Sequence, residues 1–178
     1  MKKLSLLFMA ITFAITASAQ SYNVGSSSRY TDNYGNSIST HRNQYGQTTG
    51  TSSSYSDGYG YTTTTHRDQY GNTIGTSTTY TDSYGFTTTT HRDAYGNTTG
   101  TANSYTDRYG NTSTSYSDSY GRNRGTANSY TDIFGNTTTN YKNRYGQSIG
   151  SSSSYTDSFG NTTTNQRSNN SNTSIWSW

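Results

Sequence analysis

The chain has 178 residues, 12 basic against 9 acidic side chains, 15% aromatic residues, and neither cysteine nor proline. Lys2 and Lys3 belong to an apolar leader; the ten cations and nine aspartates left give about +1, so there is no electrostatic case for nucleic acid. Cysteine-free composition excludes a disulfide framework and thiol chemistry, and the lack of Leu and Met after residue 19 excludes an ordinary aliphatic core.

Residues 1–19 read as a secretory signal peptide. Lys2 and Lys3 form its positive end, residues 4–15 its mainly apolar run, and Ala17-Ser18-Ala19 an A-x-A site with cleavage before Gln20. The run is too short for a membrane span. The expected product is therefore secreted or held at a cell surface by bacterial-type export, with no transmembrane segment after cleavage.

Residues 20–29 are the tail of a repeat. Five full 25-residue repeats start at Tyr30, Tyr55, Tyr80, Tyr105 and Tyr130, and a sixth starts at Tyr155 and degenerates after Gln166. The array thus covers 30–166, and 167–178 forms a cap or tail ending in Ile175-Trp176-Ser177-Trp178. A fixed period of this length marks a repeat architecture in which each unit needs its neighbours.

Each full repeat carries two turns. The first pairs Asp32 with Gly35, Asp57 with Gly60, Asp82 with Gly85, Asp107 with Gly110, Asp132 with Gly135 and Asp157 with Gly160. Aspartate suits the first position of a type I turn, where its carboxylate accepts from a backbone N–H two residues on, and glycine supplies the left-handed residue that follows. The second turn repeats the logic, as in Asp93-Ala94-Tyr95-Gly96, with Asn43 and Asn143 in place of aspartate. The Thr- and Tyr-rich runs between turns favour strands, and no helical apolar period appears. The fold expected is all-β: tandem strand-turn-strand-turn repeats forming a β-solenoid or a single-layer β-hairpin meander. A regular meander of odd period would invert its faces with each repeat. One bulge per repeat cancels this, and Gly50, Gly75, Gly100, Gly125 and Gly150 are its candidates.

Few residues bear chemistry. His41, His66 and His91 recur at the repeat spacing and would form a column; a metal site is the minor reading, because the position becomes Tyr116, Tyr141 and Gln166. No cofactor and no catalytic constellation are expected. Tyr34, Tyr45, Tyr59, Tyr70, Tyr84, Tyr95, Tyr109, Tyr120, Phe134, Tyr145 and Phe159 precede the turn glycines. The expectation is that they stack between repeats as a substitute core, with an aromatic binding surface as the alternative.

The pattern Asp132-Ile133-Phe134-Gly135-Asn136-Thr137-Thr138-Thr139, followed by Asn143-Arg144-Tyr145-Gly146, resembles the YD repeats of Rhs-type surface proteins. That resemblance implies an extracellular β-hairpin array. In composition and design the chain also resembles curli-class secreted amyloid subunits, although Thr49 and Ile74 stand where the curlin spacing has asparagine. The functional expectation is a non-enzymatic structural protein of the cell surface or extracellular matrix, self-associating into fibres through exposed terminal strands. The alternatives are a secreted module presenting Tyr and Thr faces to glycan or ice, and a chain disordered until it meets a cell-surface partner.

Overall fold

A computed structural model describes residues 25–168 apart from Gln44. The expected signal peptide at 1–19, residues 20–24 and the Ile175–Trp178 segment lie outside the described residues. Twelve strands follow one another: β1 (Ser26–Thr31), β2 (Ser37–Arg42), β3 (Thr48–Ser56), β4 (Tyr61–Asp68), β5 (Thr73–Thr81), β6 (Phe86–Asp93), β7 (Thr98–Thr106), β8 (Thr112–Asp118), β9 (Asn123–Thr131), β10 (Thr137–Asn143), β11 (Ser148–Thr156) and β12 (Thr162–Ser168).

The turns explain the connectivity. Asp32 N–H donates to the Asn36 carbonyl at 2.9 Å, and Gly35 N–H to the Asp32 carbonyl at 3.2 Å. Gly35 has φ +86. This tight hairpin returns the chain antiparallel beside itself. Every strand pairs with its sequence neighbours, and β1 pairs with β12, so the meander closes into a barrel. The solenoid and the open meander are thus both replaced. A solenoid coil needs turns that pass the chain on to the next layer, whereas these hairpins keep it in one sheet, and strand twist curls that sheet until its edges meet.

The seam has a simple origin. β1 is the second strand of an incomplete N-terminal repeat and β12 the first strand of an incomplete C-terminal one. Ser27 faces Thr164 across the seam. The equivalent positions 25 residues on and 125 residues back, Ser52 and Ser39, face each other in the β2–β3 hairpin. The seam therefore has the register of a within-repeat hairpin whose turn is missing, and two half-repeats complete the sixth unit.

Each bulge sits beside the expected glycine. His41 faces Gly50 while Arg42 faces Thr48, leaving Thr49 as the extra residue; the β4–β5, β6–β7, β8–β9 and β10–β11 ladders shift in the same way. The glycine itself serves close approach. A Cβ on Gly75 would lie 2.5 Å from the Arg92 carbonyl oxygen, and one on Gly50 would overlap the Arg67 carbonyl.

Strand alternation sends one residue in two into the barrel. The interior is built from hydroxyls: Ser52, Ser54, Thr64, Ser77, Thr79, Thr87, Thr89, Thr114 and Thr139 are all buried. They pair across strands, as in Ser54–Thr64 at 2.8 Å, Thr79–Thr89 at 2.8 Å, Ser104–Thr114 at 2.9 Å and Ser154–Thr164 at 2.8 Å. A second belt includes Thr81–Thr87 at 3.0 Å and Thr106–Thr112 at 2.8 Å. Buried hydroxyls are tolerated because each finds a partner. Among the described residues the apolar core consists of Ala102, Tyr116, Ala127 and Tyr141, with half-buried Ile149 against it.

Candidate functional site

Three regions of the barrel hold unusual chemistry: an internal belt, the two ends and the outer wall. The belt runs through the histidine position. His41 Nε2 meets Ser52 Oγ at 2.8 Å, which meets His66 Nδ1 at 2.9 Å; His66 Nε2 meets Ser77 Oγ at 2.9 Å, which meets His91 Nδ1 at 2.9 Å. Each serine has one proton, so it donates to one ring and accepts from the other. The three imidazoles must therefore share one tautomer. Burial lowers all three from 6.5 to about 4, and His66 is further lowered by its two histidine neighbours, so the belt is neutral near pH 7. Both nitrogens of His66 are engaged by serines, and no group of three or more metal-binding side chains occurs among the described residues. The histidines and serines form one hydrogen-bonded ladder.

Farther round the belt the chain changes its packing unit. Tyr116 and Tyr141 replace histidine, and Ala102 and Ala127 replace the serines flanking Tyr116. A larger ring is matched by a smaller neighbour. The Tyr141 hydroxyl meets Ser152 at 3.1 Å, and burial pushes the Tyr116 and Tyr141 phenols up.

The turn residues cap as well as turn. Asp32 Oδ1 accepts from the N–H groups of Tyr34 and Asn36, both at 2.9 Å, and its Oδ2 accepts from Asn36 Nδ2 at 3.1 Å. The same arrangement recurs at Asp68, Asp93, Asp107, Asp132 and Asp157. The asparagine bond, opposed by some desolvation and aided by the backbone bonds, holds those five carboxyls below the ordinary carboxylate range. Asp57 and Asp82 make the backbone bonds, to Tyr59 and Tyr61 and to Tyr84 and Phe86. Where asparagine opens the turn, the partner changes in step: Asn43 Nδ2 donates to Gln47 Oε1 at 2.8 Å, and Asn143 to Gln147 at 2.8 Å. This covariation within one chain is legible in the sequence, as D-x-x-G-N against N-x-x-G-Q.

The aromatics before the glycines are the main correction. Tyr34, Tyr45, Tyr59, Tyr70, Tyr84, Tyr95, Tyr109, Tyr120, Phe134, Tyr145 and Phe159 are 68% to 91% exposed. They stand on hairpin tips that point away from the sheet, out of reach of the interior, so they do not make a substitute core. Arg108 and Arg144 lie over the rings of Tyr109 and Tyr145, each 4.7 Å from the centroid.

Closure sorts these tips by end. The first turn of every repeat, with Tyr34, Tyr59, Tyr84, Tyr109, Phe134 and Phe159, falls at one end. The second, with Tyr45, Tyr70, Tyr95, Tyr120 and Tyr145, falls at the other, where β1 starts and β12 finishes. The charges sort with them. Among the described residues the first end carries six aspartates (Asp32, Asp57, Asp82, Asp107, Asp132, Asp157) against Arg108 and the buried Arg29, a balance of four negative charges. The second carries Arg42, Arg67, Arg92, Arg122, Arg124, Lys142, Arg144 and Arg167 against Asp68, Asp93 and Asp118, a balance of five positive charges. A chain that is nearly neutral overall is strongly polarised along the barrel.

The outer wall between the ends presents hydroxyls and amides, among them Thr63, Thr65, Thr76, Thr78, Asn103, Asn128 and Asn140. Near the acidic end runs a row of outward rings. Tyr61 packs on Tyr80 at 4.7 Å and Phe86 on Tyr105 at 4.8 Å. The row is interrupted between Tyr105 and Tyr130, where Asn111 stands at the place that Tyr61 and Phe86 hold in earlier repeats and Ser113 lies opposite Tyr105. The opening is a groove of about 620 Å³ lined by Tyr105, Tyr130, Ser113, Thr138, Asn128, Asn140 and the Asp107–Asn111 turn. Among the described residues there is no helix long and apolar enough to cross a membrane, which says nothing of strands. No family model matches the chain, and no curated protein and no solved structure is detectably similar to it.

Proposed function

We propose that the protein is an exported, non-enzymatic component of a cell surface or extracellular matrix that holds polysaccharide on its outer wall. The observation that carries this reading is the groove across β7–β10. Two tyrosine rings frame it, while the amides of Asn128 and Asn140 and the hydroxyls of Ser113 and Thr138 line it. Sugar rings offer a C–H face that packs on aromatics and a rim of hydroxyls that exchange hydrogen bonds with amides and hydroxyls. The mixed Ser, Thr, Asn and Tyr wall suits a neutral glycan better than an ice lattice, which would favour a uniform threonine array. It also lacks the apolar outer band a lipid-facing wall requires. The satisfied hydroxyl interior supports a preformed surface over one that orders only on contact.

Affinity electrophoresis tests the reading. Neutral polysaccharides cast into a native gel should retard the exported protein, and Tyr105→Ala with Tyr130→Ala should abolish the retardation while leaving the melting temperature near wild type. Equal mobility of the two proteins in every polysaccharide would refute the assignment.

A further inference from the structure

The two ends of the barrel differ in charge yet match in form. Each is a crown of hairpin tips bearing exposed aromatic rings, six at the acidic end and five at the basic end, where β1 starts and β12 finishes in place of a sixth turn. Exposed rings in such number are unusual for a surface with no partner. Within the acidic crown the carboxyls of Asp107, Asp132 and Asp157 are held below the ordinary carboxylate range, because they accept bonds from Asn111, Asn136 and Asn161.

We infer that each end is the docking surface for the opposite end of a second copy, so that barrels stack head to tail. Charge complementarity selects the occupant. The acidic crown of one copy meets the arginine-rich crown of the next, and like ends repel. Rings on both crowns supply apolar area and, with Arg122 and Arg144, faces for guanidinium stacking. The contact is heterologous, since the two surfaces differ, and it runs along the barrel axis, so it extends rather than closes. It requires no free strand edge and leaves the side wall uncovered apart from the Asp107–Asn111 turn, which the acidic crown shares with the rim of the groove. It does not rest on the glycan reading.

The test exploits the chain's own neutral turn. Changing Asp32, Asp107, Asp132 and Asp157 to Asn together with Asn36, Asn111, Asn136 and Asn161 to Gln, plus Asp57→Asn and Asp82→Asn, neutralises the acidic crown while reproducing the bonds of Asn43 and Gln47. A second variant changes Arg42, Arg67, Arg92, Lys142 and Arg167 to Gln. Sedimentation of the exported wild-type chain in low salt should show weight-average mass rising with concentration to at least about twice the monomer. At about 1 M salt, where the screening length shrinks to roughly 3 Å, the mass should return to monomer. Each variant alone should remain monomeric, and an equal mixture should form dimers and stop there, because each copy keeps one competent end. The inference is overturned if the wild type stays monomeric in low salt, if the variants assemble as it does, or if folded variants fail to pair on mixing. The wild-type salt series decides the matter even where a variant does not fold.

Discussion

Replacing His41, His66 and His91 with glutamine should remove most of the protein's sensitivity to mild acid. Glutamine already occupies the equivalent place at Gln166, and its amide can donate to one serine and accept from the next without titrating. In the folded wild type each histidine is lowered to about 4, against 6.5 when unfolded. Between those values the unfolded chain binds more protons, so stability is complete above about pH 6.5 and falls as pH drops toward 4. At about pH 5 the loss is roughly 2 kcal/mol per histidine, or about 6 kcal/mol for three. That is comparable with the whole stability of a typical domain. The aspartates act in the same sense but at lower pH, since their carboxyls are held down and the stability they contribute is lost only as they protonate below the ordinary carboxylate range. Urea unfolding followed by circular dichroism from pH 7.5 to 4.5 measures the difference directly. The wild-type midpoint should fall steeply through this range and the triple glutamine variant should stay nearly flat. Equal slopes for the two proteins would refute the claim that the buried belt carries the acid response.

Three further outcomes follow from packing and topology. Ala127→Leu, at a site 1% exposed between Tyr116 and Tyr141, should cost about 1–3 kcal/mol in chemical denaturation, because no volume is available for a larger side chain. Gly75→Ala should cost about 2 kcal/mol through its clash with the Arg92 carbonyl, whereas Gly96→Ala, in open space at φ +86, should cost about 1 kcal/mol. Asparagine should recover most of the loss at Gly96 and none at Gly75, which separates backbone conformation from close approach in a pair of thermal melts. A circular permutant joining the seam strands through an Asn-x-x-Gly-Gln turn, and opened within the Asp93–Gly96 turn, should melt cooperatively within a few degrees of wild type.

Local structure was largely legible in the sequence. The Asp-x-x-Gly spacing specifies the turn because its atoms lie within five residues of one another, and the odd repeat length implies the bulge by counting alone. What was not legible required knowing which residues share an end or a face. Closure could not be read from any strand, since each sees only its two neighbours and the curl accumulates over twelve. Tyr34 and its equivalents looked like a core because they were the large side chains available. The hydroxyls filled the interior instead, since Ser54 and Thr64 and their counterparts satisfy one another in pairs. The one signal that pointed to this interior was the exchange of His and Ser for Tyr and Ala between repeats, a volume compensation visible as letters yet meaningful only once the two positions are neighbours. The charge polarity was hidden for the opposite reason: acidic and basic turns alternate along the chain, and only an up-and-down path sends them to opposite ends.

The seam also bears on how the chain is made. Eleven of the twelve strand pairings join neighbours in sequence and can form as hairpins while the chain emerges. The twelfth joins the first strand to the last, so it waits for the whole array to be delivered. Until then the meander carries two unpaired borders whose registers match, on every copy alike. Closing on itself competes with pairing to another molecule, and the same four-residue ladder serves either outcome. The competition is between a local concentration set by sheet curvature and a bulk concentration set by expression. Whether this chain yields discrete barrels or runaway sheets therefore depends on how fast it folds and how crowded it is while it does.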